Sequence, residues 1–403
     1  MEYTSASKNI QEFLKKIDLP AFHFSKKAKS VIKKLYEQAT KADAMTPKYT
    51  KTPVTTFPKG SSYEYMDNSI KTHIEGLQKQ TTKVELIVQD RVYTIFFVIP
   101  KGTAAHIDKY VKKINTWLHV ASLYAKPGCS KTVTVYLYLT DLKKQLPEKD
   151  GFILDAENAN TAFTTSCQLA TEIILYRREE WFKVFIHESF HNLGLDFIGS
   201  EDVKKKLFAI FPVKSEFKLY ETYTEMWAEL LNIIFIQSSS QQHLDHNLSQ
   251  SQNLVSLRLK QSLVSLRLVL LRLEQDIQTE QKFSLFQTAK ILDHFGMTYS
   301  DIFDKKKQKK YKEDTEIFCY FILKTLLLYN CNDFIEWLHD HQKPVPDKVH
   351  KFIEDLIIPR YNEIEFIQKI NEIQQQQKEV FTNNSFIGAT LRMTALEQLL
   401  WFG

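Results

Sequence analysis

Apolar residues recur at helical spacing from the start of the chain. Ile10, Phe13, Leu14 and Ile17 form one set and Ala28, Val31, Ile32 and Leu35 a second, with Pro20 between them. Two helices are therefore expected over residues 1–40. Residues 41–62 are polar and carry Pro47, Pro53 and Pro58, the composition of a linker. The pattern then changes to β-branched and aromatic runs. Residues 84–88 and 92–99 flank Gln89-Asp90-Arg91 and predict a hairpin. Residues 132–139 and 172–177 predict two more strands, and the polar run 160–165 suits an exposed edge. Ile107, Val111, Ile114, Leu118 and Ala121 space out a helix within 104–124. Residues 181–193 are apolar on nearly every helical face, which predicts a buried helix, and 220–236 reads as another strong helix.

Beyond residue 236 the periodicity lapses. Residues 237–253 are rich in Ser, Gln, Asn and His, and a mobile polar loop is expected there. Leu-Val-Ser-Leu-Arg-Leu at 254–259 recurs at 263–268, too short a repeat for a solenoid, so it reads as a duplication inside one amphipathic helix reaching Gln275. A basic loop at 305–310, a buried helix at 317–329 and a helical remainder with a turn at Pro344–Pro346 follow. Strands clustered ahead of a long run of helices point to the α+β class.

Composition narrows this. Only 10 Gly and 11 Pro in 403 residues favour helix over a loop-rich scaffold. The net charge of +5, from 53 basic and 48 acidic residues, argues against a dedicated nucleic-acid binder, and the lysines at 305–310 read as a solvated loop. Cys129, Cys167, Cys319 and Cys331 lack C-x-x-C spacing and read as reduced thiols, as in the cytosol. The first residues have no secretory signature, and no uninterrupted apolar run reaches 18 residues. A soluble, cytoplasmic protein with no membrane partner is expected.

The chemistry is carried by His187-Glu188-Ser189-Phe190-His191. Histidines at i and i+4 share one helical face, so two imidazoles can hold one metal ion. Zinc suits such a site, because it accepts two or three His or Glu ligands and keeps a position open for water. Glu188, one residue past the first histidine, can act on that water as general base. Two third ligands compete. Asp196 lies beyond His191-Asn192-Leu193-Gly194, where a glycine could turn the chain back to the metal. Glu225 sits on the next strong helix, with Glu229 four residues on to support an imidazole, and is the preferred choice. Tyr220 and Tyr223, just before Glu225, are candidate donors to an oxyanion. Tyr176, Arg177 and Tyr311 are further candidates, and the edge strand could receive an extended peptide. Cys167 reads as a plain thiol, and His243 with His246 lacks a third ligand nearby.

The motif with a downstream glutamate resembles the gluzincin-type zinc metallopeptidases. More broadly, residues 176–191, then Tyr223-Thr224-Glu225-Met226-Trp227, then 311–318, resemble uncharacterised metallopeptidase-like proteins of large nucleocytoplasmic DNA viruses. The resemblance implies a zincin-like α+β domain with a twisted mixed sheet over 62–236. A helical segment and linker over 1–61 would precede it, and the polar loop at 237–253 and a helical lobe over 254–403 would follow. It implies zinc held by His187, His191 and Glu225, and a peptide or protein substrate. The alternative is a catalytically silent zincin-fold interaction protein that assembles with virion proteins, in the host cytoplasm or the virion.

Overall fold

The structure, a computed structural model, describes residues 2–103, 106–248, 255–341, 349–382 and 385–399. It is a mixed α+β arrangement built on one six-stranded mixed sheet. The strands are β1 (Tyr49–Val54), β2 (Lys79–Val88), β3 (Arg91–Pro100), β4 (Thr132–Thr140), β5 (Ala162–Thr164) and β6 (Ala170–Arg177), in spatial order β1-β2-β3-β4-β6-β5. β2 and β3 form the expected hairpin, with Gln89 in the left-handed region at its turn. β3, β4 and β6 run parallel, with Ile95 beside Val135 and Val135 beside Ile173. β5 is an edge strand antiparallel to β6, with Phe163 opposite Ile174.

The pleat sorts side chains to two faces. Val133, Val135, Leu137 and Leu139 of β4 join the main core under the helices. Tyr136 and Tyr138 point the other way and pack with Ile174 and Tyr176 under Tyr63, Met66, Ile70 and Ile74. The central strands are covered on both faces, which is why they read as nearly continuous apolar runs.

Three regions depart from expectation. The polar stretch ahead of residue 62 is not only a linker, because β1 pairs along β2 from Tyr49↔Leu86 to Val54↔Thr81. Its Pro53 is tolerated because an edge strand leaves one row of backbone groups unpaired. The loop expected over 237–253 is helical as far as Leu248, in a helix spanning Leu219–Leu248, while 249–253 lie outside the described residues. The helix expected to end at Gln275 runs Val255–His294. The turn at Pro344–Pro346 lies outside the described residues. No helix among the described residues is long and apolar enough to cross a membrane.

Two further features position the site. The helix Ile107–Ala121 and the N-terminal helix Lys26–Asp43 pack around the helix Trp181–Leu193 and the one spanning Leu219–Leu248. Residues 390–399 run through the interior as a strap. The backbone N–H groups of Met393 and Thr394 donate to Glu180 at 2.8 and 2.6 Å, and those of Ala395 and Leu396 donate to Glu280. The Glu397 carbonyl accepts from Thr4 N–H at 2.9 Å.

Candidate metal centre

The helix Trp181–Leu193 follows β6 after a three-residue connection and packs against β6 and β5. Every residue in it is buried except His191, which is partly open. The helix stops at Gly194, whose φ of +66° is a left-handed conformation that glycine adopts without strain. A Cβ there would also lie 2.8 Å from Cys129 Sγ and 2.9 Å from Lys126 Cδ.

The two histidines converge as their spacing predicts, with Nε2 atoms 3.2 Å apart. The third group is Glu221. Its Oε2 lies 3.0 Å from His187 Nε2 and 3.4 Å from His191 Nε2. His187, His191 and Glu221 are the group able to hold a metal ion among the described residues. Metal–ligand bonds of about 2.0–2.1 Å at tetrahedral angles put neighbouring donor atoms about 3.4 Å apart, so the three observed separations fit one small divalent ion. A cation is also what the electrostatics ask for. Two imidazole nitrogens and a carboxylate oxygen meet in a largely buried space, where only a proton or a metal ion keeps them together.

The two residues foreseen as alternative third ligands each do something else. Glu225 Oε2 lies 3.0 Å from His187 Nδ1, and Asp196 Oδ2 lies 2.6 Å from His191 Nδ1. Each carboxylate accepts the Nδ1 proton, so each Nε2 lone pair faces the ligand point. The pattern of a ligand glutamate followed four residues later by a supporting acid is present, one turn earlier than expected. Glu221 is the ligand candidate and Glu225 the support. Glu229 is displaced from that role and pairs with Lys324 at 3.5 Å, both fully buried.

Burial alone would depress both imidazoles, but the carboxylates outweigh it. Without metal, Glu221 and Glu225 hold His187 up at about 9, and Glu221 and Asp196 hold His191 well above its ordinary value. Burial likewise disfavours ionised Glu221, yet the imidazoles keep it well below the usual carboxylate range. For Glu188 burial wins. Burial pushes it up to about 7 against the pull of the two histidines.

No family model, curated protein or solved structure matches this chain. The centre must therefore be read from its own geometry.

The metal candidates open into a cleft of about 640 Å³ whose walls include Phe163 and Thr164 of β5, together with Glu188, Tyr220 and Tyr320. Tyr220 lines the cleft, its ring perpendicular to that of His191 with centroids 5.8 Å apart. Tyr223 does not. It is fully buried among Phe197, Trp227, Phe334 and Phe352, away from the cleft walls. Tyr176 and Tyr311 are likewise core residues. Sequence reasoning missed Tyr320, whose hydroxyl lies 3.2 Å from Glu221 Oε2 and 3.4 Å from Glu316 Oε2. It sits on a π-helical turn, Phe318–Leu323, a local irregularity that recurs at functional sites. The only sequence signal was a lone phenol inside an apolar run.

The cysteine expectation is corrected as well. Cys129 and Cys167 form a disulfide, and Cys167 borders the cleft, whereas Cys319 and Cys331 are buried free thiols. The bridge links the loop after β5 to the loop against which Gly194 packs.

Proposed function

We propose that this protein is a zinc-dependent metallopeptidase with a zincin-like catalytic domain. The observation that carries the reading is the convergence of His187 Nε2, His191 Nε2 and Glu221 Oε2 within 3.0–3.4 Å, beside Glu188, in a cleft bordered by an edge strand. His187, His191 and Glu221 would hold the zinc ion, which when bound would supply a Lewis acid and lower the pKa of a bound water.

The chain's own residues do the rest. Glu225 and Asp196 hold the imidazoles in the coordinating tautomer. β5 offers an unpaired backbone edge to an extended peptide, which fits a polymeric substrate better than a small one. Glu188 lines the same cleft and takes a proton from the attacking water, then returns it to the leaving amine. The Tyr320 hydroxyl, at the rim of the ligand set, donates to the oxygen that gains charge as the peptide carbonyl is attacked. The sheet with its antiparallel edge strand, the motif helix and a ligand on the following long helix together support the gluzincin-type reading.

The test is cleavage of a broad peptide library by zinc-loaded protein, against Glu188→Gln as control. Cleavage by the wild type that disappears in a zinc-retaining Glu188→Gln variant supports the peptidase. Zinc binding without any cleavage leaves the interaction-protein reading in its place.

A further inference from the structure

One buried cation near the centre has no part in the scheme above. Lys183 lies one helical turn before His187 on the same face, and it is 1 % exposed. Its ammonium donates to Glu225 Oε1, and the other oxygen of that carboxylate accepts from His187 Nδ1. The neighbouring buried pairs, Lys144–Glu180 at 2.7 Å and Lys324–Glu229 at 3.5 Å, end on backbone or other side chains. Among these three, only the Lys183 pair continues to a histidine.

A buried ion pair is a poor device for stability alone, because desolvating both charges offsets most of their attraction. Its worth lies in fixing geometry. With one oxygen held by Lys183, the Glu225 carboxylate cannot rotate to present both oxygens elsewhere, and the remaining oxygen stays aimed at His187 Nδ1. That bond sets the tautomer and ring orientation of a metal ligand.

We propose that Lys183 is a positioning residue of the metal centre, acting through Glu225 to lock the His187 imidazole for coordination. The inference rests on the metal-centre reading above, so its test reads zinc affinity directly, by competition with a chromophoric chelator, rather than peptide cleavage. Lys183→Met, Glu225→Gln and the double variant are compared with wild type, with folding followed by circular dichroism. Outer-shell partners of metal-bound histidines are worth about 10- to 100-fold in affinity, and each single variant is expected to lose that much. The double variant is expected to lose no more than Glu225→Gln alone, since both changes break one relay. The His187 Nδ1–H resonance is expected downfield in the zinc-loaded wild type and further upfield in Lys183→Met. Should Lys183→Met fail to fold, Lys183→Gln takes its place, with the same 10- to 100-fold loss of zinc affinity expected and full affinity overturning the role. Full zinc affinity in folded Lys183→Met, or losses that multiply in the double variant, overturn the role of Lys183 while leaving the centre intact. Absence of zinc binding by the wild type overturns both.

Discussion

Replacing Glu221 separates the ligand assignment reached from geometry from the one suggested by sequence. Zinc that binds only the folded protein stabilises it by about 4.1 kcal/mol when free zinc is 1,000 times its dissociation constant. An unfolding entropy of about 2.1 cal/mol/K per residue over 403 residues amounts to about 0.85 kcal/mol/K. Zinc should therefore raise the midpoint of wild-type unfolding by about 5 °C. Glu225 touches His187 only through Nδ1, so Glu225→Gln weakens binding about 10- to 100-fold and keeps roughly 1.4–2.7 kcal/mol of the effect, a rise of about 2–3 °C. Glu221→Ala removes one of three donors and should leave a rise below about 1 °C. Differential scanning fluorimetry, with each variant referred to its own zinc-free midpoint, reads all three. A full wild-type rise in Glu221→Ala together with none in Glu225→Gln refutes the assignment and restores Glu225 as the ligand.

Four further outcomes follow from the same geometry. Glu188→Gln should lower peptide turnover about 10²- to 10⁴-fold while zinc affinity, read by chelator competition, stays within a few-fold of wild type. Tyr320→Phe should lower kcat about 10²- to 10³-fold with little change in KM or zinc content, as expected of a donor that matters only when charge develops. Without metal, His187 is raised from an ordinary 6.5 to about 9, so its protonation stabilises the fold fully below about pH 6.5. That contribution fades as the pH climbs through 9. Zinc must displace this proton, so calorimetry in buffers of different ionisation enthalpy should show proton release at pH 7 and affinity rising towards pH 9. Removing the Cys129–Cys167 bridge, which spans 38 residues, with paired alanines should lower stability by roughly 2–4 kcal/mol in chemical denaturation.

Much of this could be read from the amino-acid order, and what could not has physical reasons. The β2–β3 hairpin and the parallel strands were legible because buried strands demand dense β-branched and aromatic runs. β1 was not, since Tyr49–Val54 is an edge strand exposed along most of its length and has no apolar alternation to display. The histidine pair was legible because both imidazoles lie on one helix turn. The third candidate ligand lies on another helix, where Glu221, Glu225 and Glu229 follow at four-residue intervals. Their spacing marks the face that meets the histidines but not the height at which the two helices dock. That docking brings Glu221 level with the Nε2 atoms and lifts Glu225 to Nδ1. Tyr320 was hidden for a related reason, because a π-turn shifts which side chain of an apolar helix faces the cleft. The disulfide joins cysteines far apart in the chain with no spacing signature, and only the packing of the loop after β5 onto the Gly194 turn brings them together.

The interior strap sets an order of events during synthesis. Glu180, at the start of the helix that carries both histidines, receives its amide donors from Met393 and Thr394, the first of them 213 residues later in the chain. At about 5–20 residues per second, a ribosome needs roughly 10–40 s to cover that interval. Through that time the Glu180 carboxylate, at the head of the helix that carries both histidines, lacks the two amide donors it has in the complete fold. The nascent chain thus carries His187 and His191 before the residues whose amides hold Glu180 have been made.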